Sequence, residues 1–387
     1  MRYGNATLYP ADELNTTTTM QPREHDQALD QFLESAALRY ASDQIKGYTR
    51  KKRGKGFTYF DRKGGKIDDP ALKAWIDALV IPPAWTDVWI SPHKNGHILA
   101  TGRDGKGRKQ YIYHPAWREL SNEKKFENLI EFGEMLPHIR QTLADHLRQK
   151  GITAQKMLAL VVTLLDRTLI RVGNQEYRRD NDTYGLTTLQ DHHAAVQGES
   201  VTFDFVGKSG KPHTIHLDDK RLAKIVRQSQ ELPGYALFQY VDANGQPRAV
   251  DSSHVNAYLQ AITGKPFTAK IFRTWGGSVQ MVRELCTAEN DGTVKGKEKC
   301  VRAGVKAVAK ALGNTTSVSR AYYIHPLVID SFMDGRLAGV YEQHLREMQT
   351  GETDALKLEE QVLMALMLTA RDAALASPSG GQTKSAD

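Results

Sequence analysis

The chain has 387 residues, 40% of them hydrophobic and 25% charged, which is long enough for two domains and a sizeable core. Lys and Arg number 52 against 45 Asp and Glu, a net charge of +7 that hints at a polyanionic partner without naming one. The two cysteines, Cys286 and Cys300, have neither CxxC spacing nor a histidine partner. They argue against a structural metal site and read as buried free thiols of a reducing compartment.

Residues 1–33, polar and with a threonine run, read as a flexible arm without the apolar core of a signal peptide. Residues 34–117 carry short aromatic runs punctuated by glycine, among them "GFTYFDRKGGKI", "DVWISPHKNGHILATG" and "RKQYIYHP". Alternation such as Gln110-Tyr111-Ile112-Tyr113, with Gly-Gly and Asn-Gly as turn signals, predicts a small β-rich domain. From 118 to 372 apolar residues recur at three-to-four spacing, which predicts a larger, mainly α-helical domain. One hairpin near 200–217 interrupts it, with Gly207, Lys208, Ser209 and Gly210 at the tip. Residues 373–387 read as a disordered tail. The fold class expected is therefore α+β. The strongest apolar run, Met157–Leu165, is too short for a bilayer, so no membrane partner is expected and the cytoplasm is the expected location.

In the first domain cations stand among aromatics. One run holds Arg50, Lys51, Lys52, Arg53 and Lys55; another sets Arg103, Lys106, Arg108 and Lys109 beside Gln110, Tyr111 and Tyr113. Cations neutralise phosphates, and Gln or Tyr on a strand can reach base edges or sugars. Such clusters also occur as plain solvated faces, but two of them favour a nucleic acid. Neither "GKSGKP" nor "RDGKGRK" meets a phosphate-loop or dinucleotide fingerprint, so no nucleotide cofactor and no metal are expected.

The second domain scatters polar residues that each have a plain explanation. Arg171 reads as the end of an apolar helix, Lys208 as a solvated turn residue, and Asn314 as a turn residue after Gly313. Arg273 lies three residues after Lys270, and Tyr323 nine after Asn314. Together, however, "IRVGN", "GLTTL", "FVGKSGK", "FTAKIFRTWGG" and "GNTTSVSRAYYIHP" fall in an order and spacing that resembles the type IB DNA topoisomerases, nearest the bacterial and poxvirus-like branch. "IPPAWTDVWI" and "ATGRDGKGRKQYIYHP" resemble the N-terminal domain of that branch, so the likeness spans about residues 40–340.

That resemblance implies a catalytic set of Arg171, Lys208, Arg273, Asn314 and Tyr323, with Lys270 as an assistant. Asn314 stands where many relatives have histidine; the amide still donates a hydrogen bond but carries no imidazolium charge. Tyr177, between the first two of these blocks, joins the DNA-contacting candidates. Two adjacent tyrosines, Tyr322 and Tyr323, compete for the role of nucleophile. Counting from Asn314 assigns it to Tyr323 and leaves Tyr322 as the neighbour that packs. The implied partner is duplex DNA in the nucleoid, held by a monomer that closes as a clamp, with no cofactor. A tyrosine site-specific recombinase is the alternative with related chemistry. Such enzymes usually carry His-x-x-Arg at the second arginine, where this chain has Lys270-x-x-Arg273. A non-catalytic nucleoid protein is the other alternative, and it would have no need of Tyr323.

Overall fold

The computed structural model of the protein describes residues 33–54, 56–175, 178–179, 182–349 and 356–376. Tyr177, the expected arm up to residue 32 and the expected tail beyond Ala376 lie outside the described residues. The chain is a mixture of helix and antiparallel sheet in two compact units, one ending at Lys125 and the other running on from Phe126.

The first unit is built on strands β1 (Tyr48–Arg53), β2 (Gly56–Phe60), β3 (Thr86–Ile90), β4 (Ile98–Arg103) and β5 (Lys109–Tyr113), with helix α1 (Pro70–Ala78) between β2 and β3. They form one antiparallel sheet in the order β2-β1-β3-β4-β5. Alternation along the strands sends Val88, Ile90, Ala100 and Ile112 to one face, where they pack with Ile67, Ile76 and Ile81. Helix α1 was not foreseen; Asp69 caps it by accepting from the Ala71 N–H, and proline opens its first turn. Arg50 is also unlike its basic neighbours. Its guanidinium donates to the carbonyls of Ile81, Pro82 and Trp85 at 2.9–3.0 Å, so it braces the sheet from within.

Helix α2 (Pro115–Leu147) buries Phe126, Leu129, Phe132, Leu136, Ile139, Leu143 and Leu147, a three-to-four stripe that fixes its inner face. Helix α3 (Ala154–Thr168) follows, capped by Thr153 and buried from Met157 to Leu165. It stops at Thr168 because Leu169 turns left-handed (φ 55°), so Arg171 lies three residues past the helix and does not end it. Next come β6 (Ala194–Gln197), β7 (Ser200–Gly207) and β8 (Lys211–Asp218) as a three-stranded antiparallel sheet, then α4 (Lys220–Gln230) and the small ribbon of β9 (Gln239–Val241) and β10 (Pro247–Ala249). The chain continues through α5 (Ser252–Thr263), α6 (Lys270–Cys286), α7 (Val294–Ala311), α8 (Thr316–Tyr322), α9 (Pro326–Met333), α10 (Arg336–Gln349) and α11 (Leu358–Ala376).

The core of this unit centres on Phe132, whose ring meets Phe267, Phe272 and Trp275 edge-on at 5.0–5.7 Å. Beside it lies a charged junction. Arg140 of α2 donates to Asp166 of α3 and to Glu360 of α11, and Glu360 accepts from the indole of Trp275 on α6 at 3.2 Å. Glu360 is 3% exposed, so removing one partner of the group would strand buried charge at a cost of about 3–5 kcal/mol. Four helices, α6 among them, are pinned by this group. Both cysteines are half-buried rather than fully enclosed, and burial pushes the Cys286 thiol up to about 12. Among the described residues no helix is long and apolar enough to cross a membrane.

Candidate active site

Four separate segments of the second unit converge on a cavity of about 300 Å³ lined by Arg171, Lys208, Lys270, Arg273 and Tyr323, with Asn174, Thr183 and Tyr184 beside them. Helix α6 supplies two of these residues from its first turn. Lys270 is exposed at the start, and Arg273, one turn on, is 4% exposed and turned inward. The Arg273 Nη1 donates to the Leu169 carbonyl and Nη2 to that of Leu312 at 2.7 Å. Its guanidinium also lies over the Tyr323 ring, 5.3 Å from the centroid. Burial and, after it, the Arg171 cation pull Arg273 down to about 10, while the Tyr323 phenol opposes them.

Arg171 lies in the irregular stretch after α3, whose backbone is held by Leu186 N–H donating to the Arg171 carbonyl at 2.9 Å. Its Nη2 donates to the Asn314 side-chain oxygen at 2.5 Å. That bond fixes the amide orientation and directs Nδ2 of Asn314, buried and without a partner among the described residues, away from Arg171. A buried donor left unpaired costs about 1–3 kcal/mol, which is recovered when an acceptor arrives. Burial lowers the Arg171 pKa as well, and Tyr323 again opposes the shift.

Lys208 occupies the tip of the β7–β8 hairpin, as the sequence predicts, and is exposed there on a single turn in which Ser209 (φ 67°) and Gly210 (φ 71°) are left-handed. Asn314 and Tyr323 flank α8. Gly313 (φ 60°) reverses the chain after α7, Thr315 caps α8 by accepting from the Val318 N–H, and Tyr323 is the residue that ends it.

Here one expectation is corrected. Tyr322 is the more open of the pair, 42% exposed, whereas Tyr323 is half-buried against the core. The turn at the helix end explains the exchange, since Tyr323 leaves helical geometry (φ −131°) and is drawn inward ahead of the fully buried Ile324. Gly277 of α6 makes room for it, because a Cβ there would lie 2.6 Å from the Tyr323 carbonyl oxygen. Ser278 then accepts from the His325 N–H at 2.9 Å, so α6 holds the chain on the far side of Tyr323 too.

Several neighbours escaped sequence reasoning. Lys211 donates to the Asn314 carbonyl at 3.0 Å, and His213 lies close to Gly313. Tyr184 lines the cavity with its hydroxyl on Asp182 at 2.8 Å. For His213 the "GKSGKPH" run gave a signal: strand alternation sets it two residues from Lys211, on the same face.

In the first unit the candidate contacts separate into two groups. Arg108 and Gln110 gather on Asp104, with Arg108 Nη2 at 2.7 Å and the Gln110 amide at 3.0 Å. The Arg108 guanidinium holds that carboxyl at about 2. Lys109, Tyr111 and Tyr113 line the opposite side of β5, where the rings of Tyr111 and Tyr113 stack at 5.8 Å and Lys109 pairs with Asp43 at 2.6 Å. Arg103 donates to the Gly107 carbonyl at 2.9 Å, and Lys106 is exposed in the β4–β5 turn.

Residues 114–347 match the family model described as eukaryotic DNA topoisomerase I, catalytic core, and residues 56–104 match that of the bacterial DNA topoisomerase IB N-terminal domain. The chain is 27% identical over 297 residues to DNA topoisomerase 1B of Acanthamoeba polyphaga mimivirus, covering 75% of this chain and 88% of the viral protein. It is 22% identical over 272 residues to DNA topoisomerase I of Monkeypox virus, covering 69% and 83%. With Candida albicans DNA topoisomerase 1 the identity is 28% over 207 residues, 52% of this chain and 25% of the yeast protein. The first match spans more than half of the chain, which therefore belongs to the type IB DNA topoisomerases, in their viral and bacterial branch. It is an enzyme of that class.

Proposed function

We propose that the chain relaxes supercoiled duplex DNA with Tyr323 as the nucleophile of a transient single-strand break. The observation that carries this reading is the convergence of Arg171, Lys208, Lys270, Arg273 and Tyr323 on one cavity, with Asn314 bonded to Arg171. The phenol oxygen attacks the scissile phosphorus and loses its proton to water. The bond from phosphorus to the 5′ oxygen breaks, and its electron pair stays on that oxygen, which takes a proton from Lys208, assisted by Lys270. Arg171, Arg273 and the unpaired Asn314 amide stabilise the non-bridging oxygens. The products are a 3′-phosphotyrosyl link and a free 5′-hydroxyl. Because that link conserves the energy of the broken bond, resealing is the reverse step and needs no nucleotide.

In this reading residues 34–117 form a DNA-binding domain and 118–372 the catalytic one, and a monomer closes on the duplex as a clamp. The test is relaxation of supercoiled plasmid in EDTA without ATP. Full relaxation is expected; dependence on ATP or Mg²⁺ would sink the proposal.

The clamp has its own test. Arg108 and Lys109 are paired with Asp104 and Asp43 at the surface, and exposed pairs of this kind contribute only about 0–1 kcal/mol, so phosphate can replace the carboxylates. Changing both cations to Ala is expected to flatten the slope of log affinity against log salt by roughly two units, with cleavage of saturated DNA unchanged. An unaltered slope in the duplex-binding titration would make this cluster a solvated face.

A further inference from the structure

We propose that Lys211 and His213 form a latch that positions Lys208 for its proton transfer, a role resting on the reading of Lys208 as the acid. The lysine tip needs such a device. Lys208 sits exposed on a three-residue turn, so its height over the cavity depends on what holds the strand ends below it.

Two contacts hold them, and both reach the Gly313-Asn314 turn. Lys211, paired with Gly207 across the hairpin, donates from Nζ to the Asn314 carbonyl at 3.0 Å. His213, paired with Phe205, stacks on that ring at 5.1 Å and 14°. Its imidazole is wedged between two glycines. A Cβ on Gly207 would lie 2.6 Å from His213 Cδ2, and one on Gly313 would lie 2.9 Å from Cε1. One of these glycines precedes Lys208 and the other precedes Asn314. The ring therefore sets the spacing between the segment bearing the acid and the segment bearing the phosphate-facing amide. Burial lowers the His213 pKa, and the cations facing it, Arg171, Arg273 and Lys211, lower it further. The ring is neutral at physiological pH and acts by shape, not by charge.

A positioning role predicts a selective defect. Lys208→Ala, Lys211→Met and His213→Ala are compared in single-turnover cleavage at saturating duplex, on an ordinary phosphodiester and on a 5′-bridging phosphorothiolate. The thiolate leaving group needs almost no protonation, so the second substrate bypasses the acid. Lys211→Met and His213→Ala are expected to slow the ordinary substrate roughly ten- to hundredfold, the scale of a misplacement near 1 Å, and to cleave the phosphorothiolate at nearly the wild-type rate. Lys211→Met keeps the alkyl stem, so it reports on the latch even if His213→Ala folds poorly. Equal losses on both substrates, or wild-type rates on both, while Lys208→Ala is rescued, would overturn the latch. Lys208→Ala failing to be rescued would instead remove the role of Lys208 and the latch with it.

Discussion

Tyr323→Phe is expected to abolish covalent capture of DNA on a denaturing gel while duplex affinity stays within about twofold of wild type. The substitution removes one oxygen and leaves the ring, which is half-buried against the core beneath Arg273. Packing is therefore kept, and the loss is chemical. Tyr322→Phe is the internal control. Tyr322 is 42% exposed and stands outside the described lining of the cavity that holds Tyr323, so loss of its hydroxyl should leave trapping at near wild-type levels. Capture by the Tyr323→Phe protein together with loss in Tyr322→Phe would shift the nucleophile by one residue and leave the cavity without its phenol.

That choice between neighbours shows how far the sequence could be read. The spacing from Asn314 singled out Tyr323, but the inference that Tyr322 must then pack did not follow. Which of two adjacent side chains turns inward depends on where α8 stops, and a seven-residue helix offers too little periodicity to place its end. The Lys208 hairpin was legible because its two strands alternate and its tip needs residues that tolerate left-handed backbone. Arg171 was misplaced onto a helix end for the opposite reason. α3 is terminated by a left-handed leucine, Leu169, which carries none of the usual stop signals. Alternation could set Lys211 and His213 on one face of their strand, but not say what that face meets, since Gly313 and Asn314 lie about a hundred residues along and only the folded chain brings them together. Arg50 shows the same limit in the first unit. Nothing in its basic run separates it from Lys51 and Lys52, yet three backbone carbonyls claim its guanidinium.

Arg273→Lys keeps the charge and is nevertheless expected to lower single-turnover cleavage by about 10²–10³-fold, the cost of losing one aligned donor to a charge that develops in the transition state. The reason lies in what the planar fork spans. One terminal nitrogen reaches the Leu169 carbonyl and the other that of Leu312. Leu169 is two residues before Arg171, and Leu312 two before Asn314. Arg273 thereby ties together the segments that carry the other two groups assigned to the non-bridging oxygens. A lysine has a single nitrogen and cannot bridge both carbonyls, so at least one buried acceptor is left unpaired, at about 1–3 kcal/mol of stability in a urea titration. The defect should differ in kind from that of Lys208→Ala. Non-bridging oxygens are the same in the phosphodiester and the 5′-bridging phosphorothiolate, so the slow leaving group is not what Arg273→Lys exposes. Both substrates should lose rate by the same factor. Rescue by the phosphorothiolate would move Arg273 to the leaving-group side of the reaction. A cleavage rate within about threefold of wild type would show that charge alone suffices, and that the fork serves only the fold.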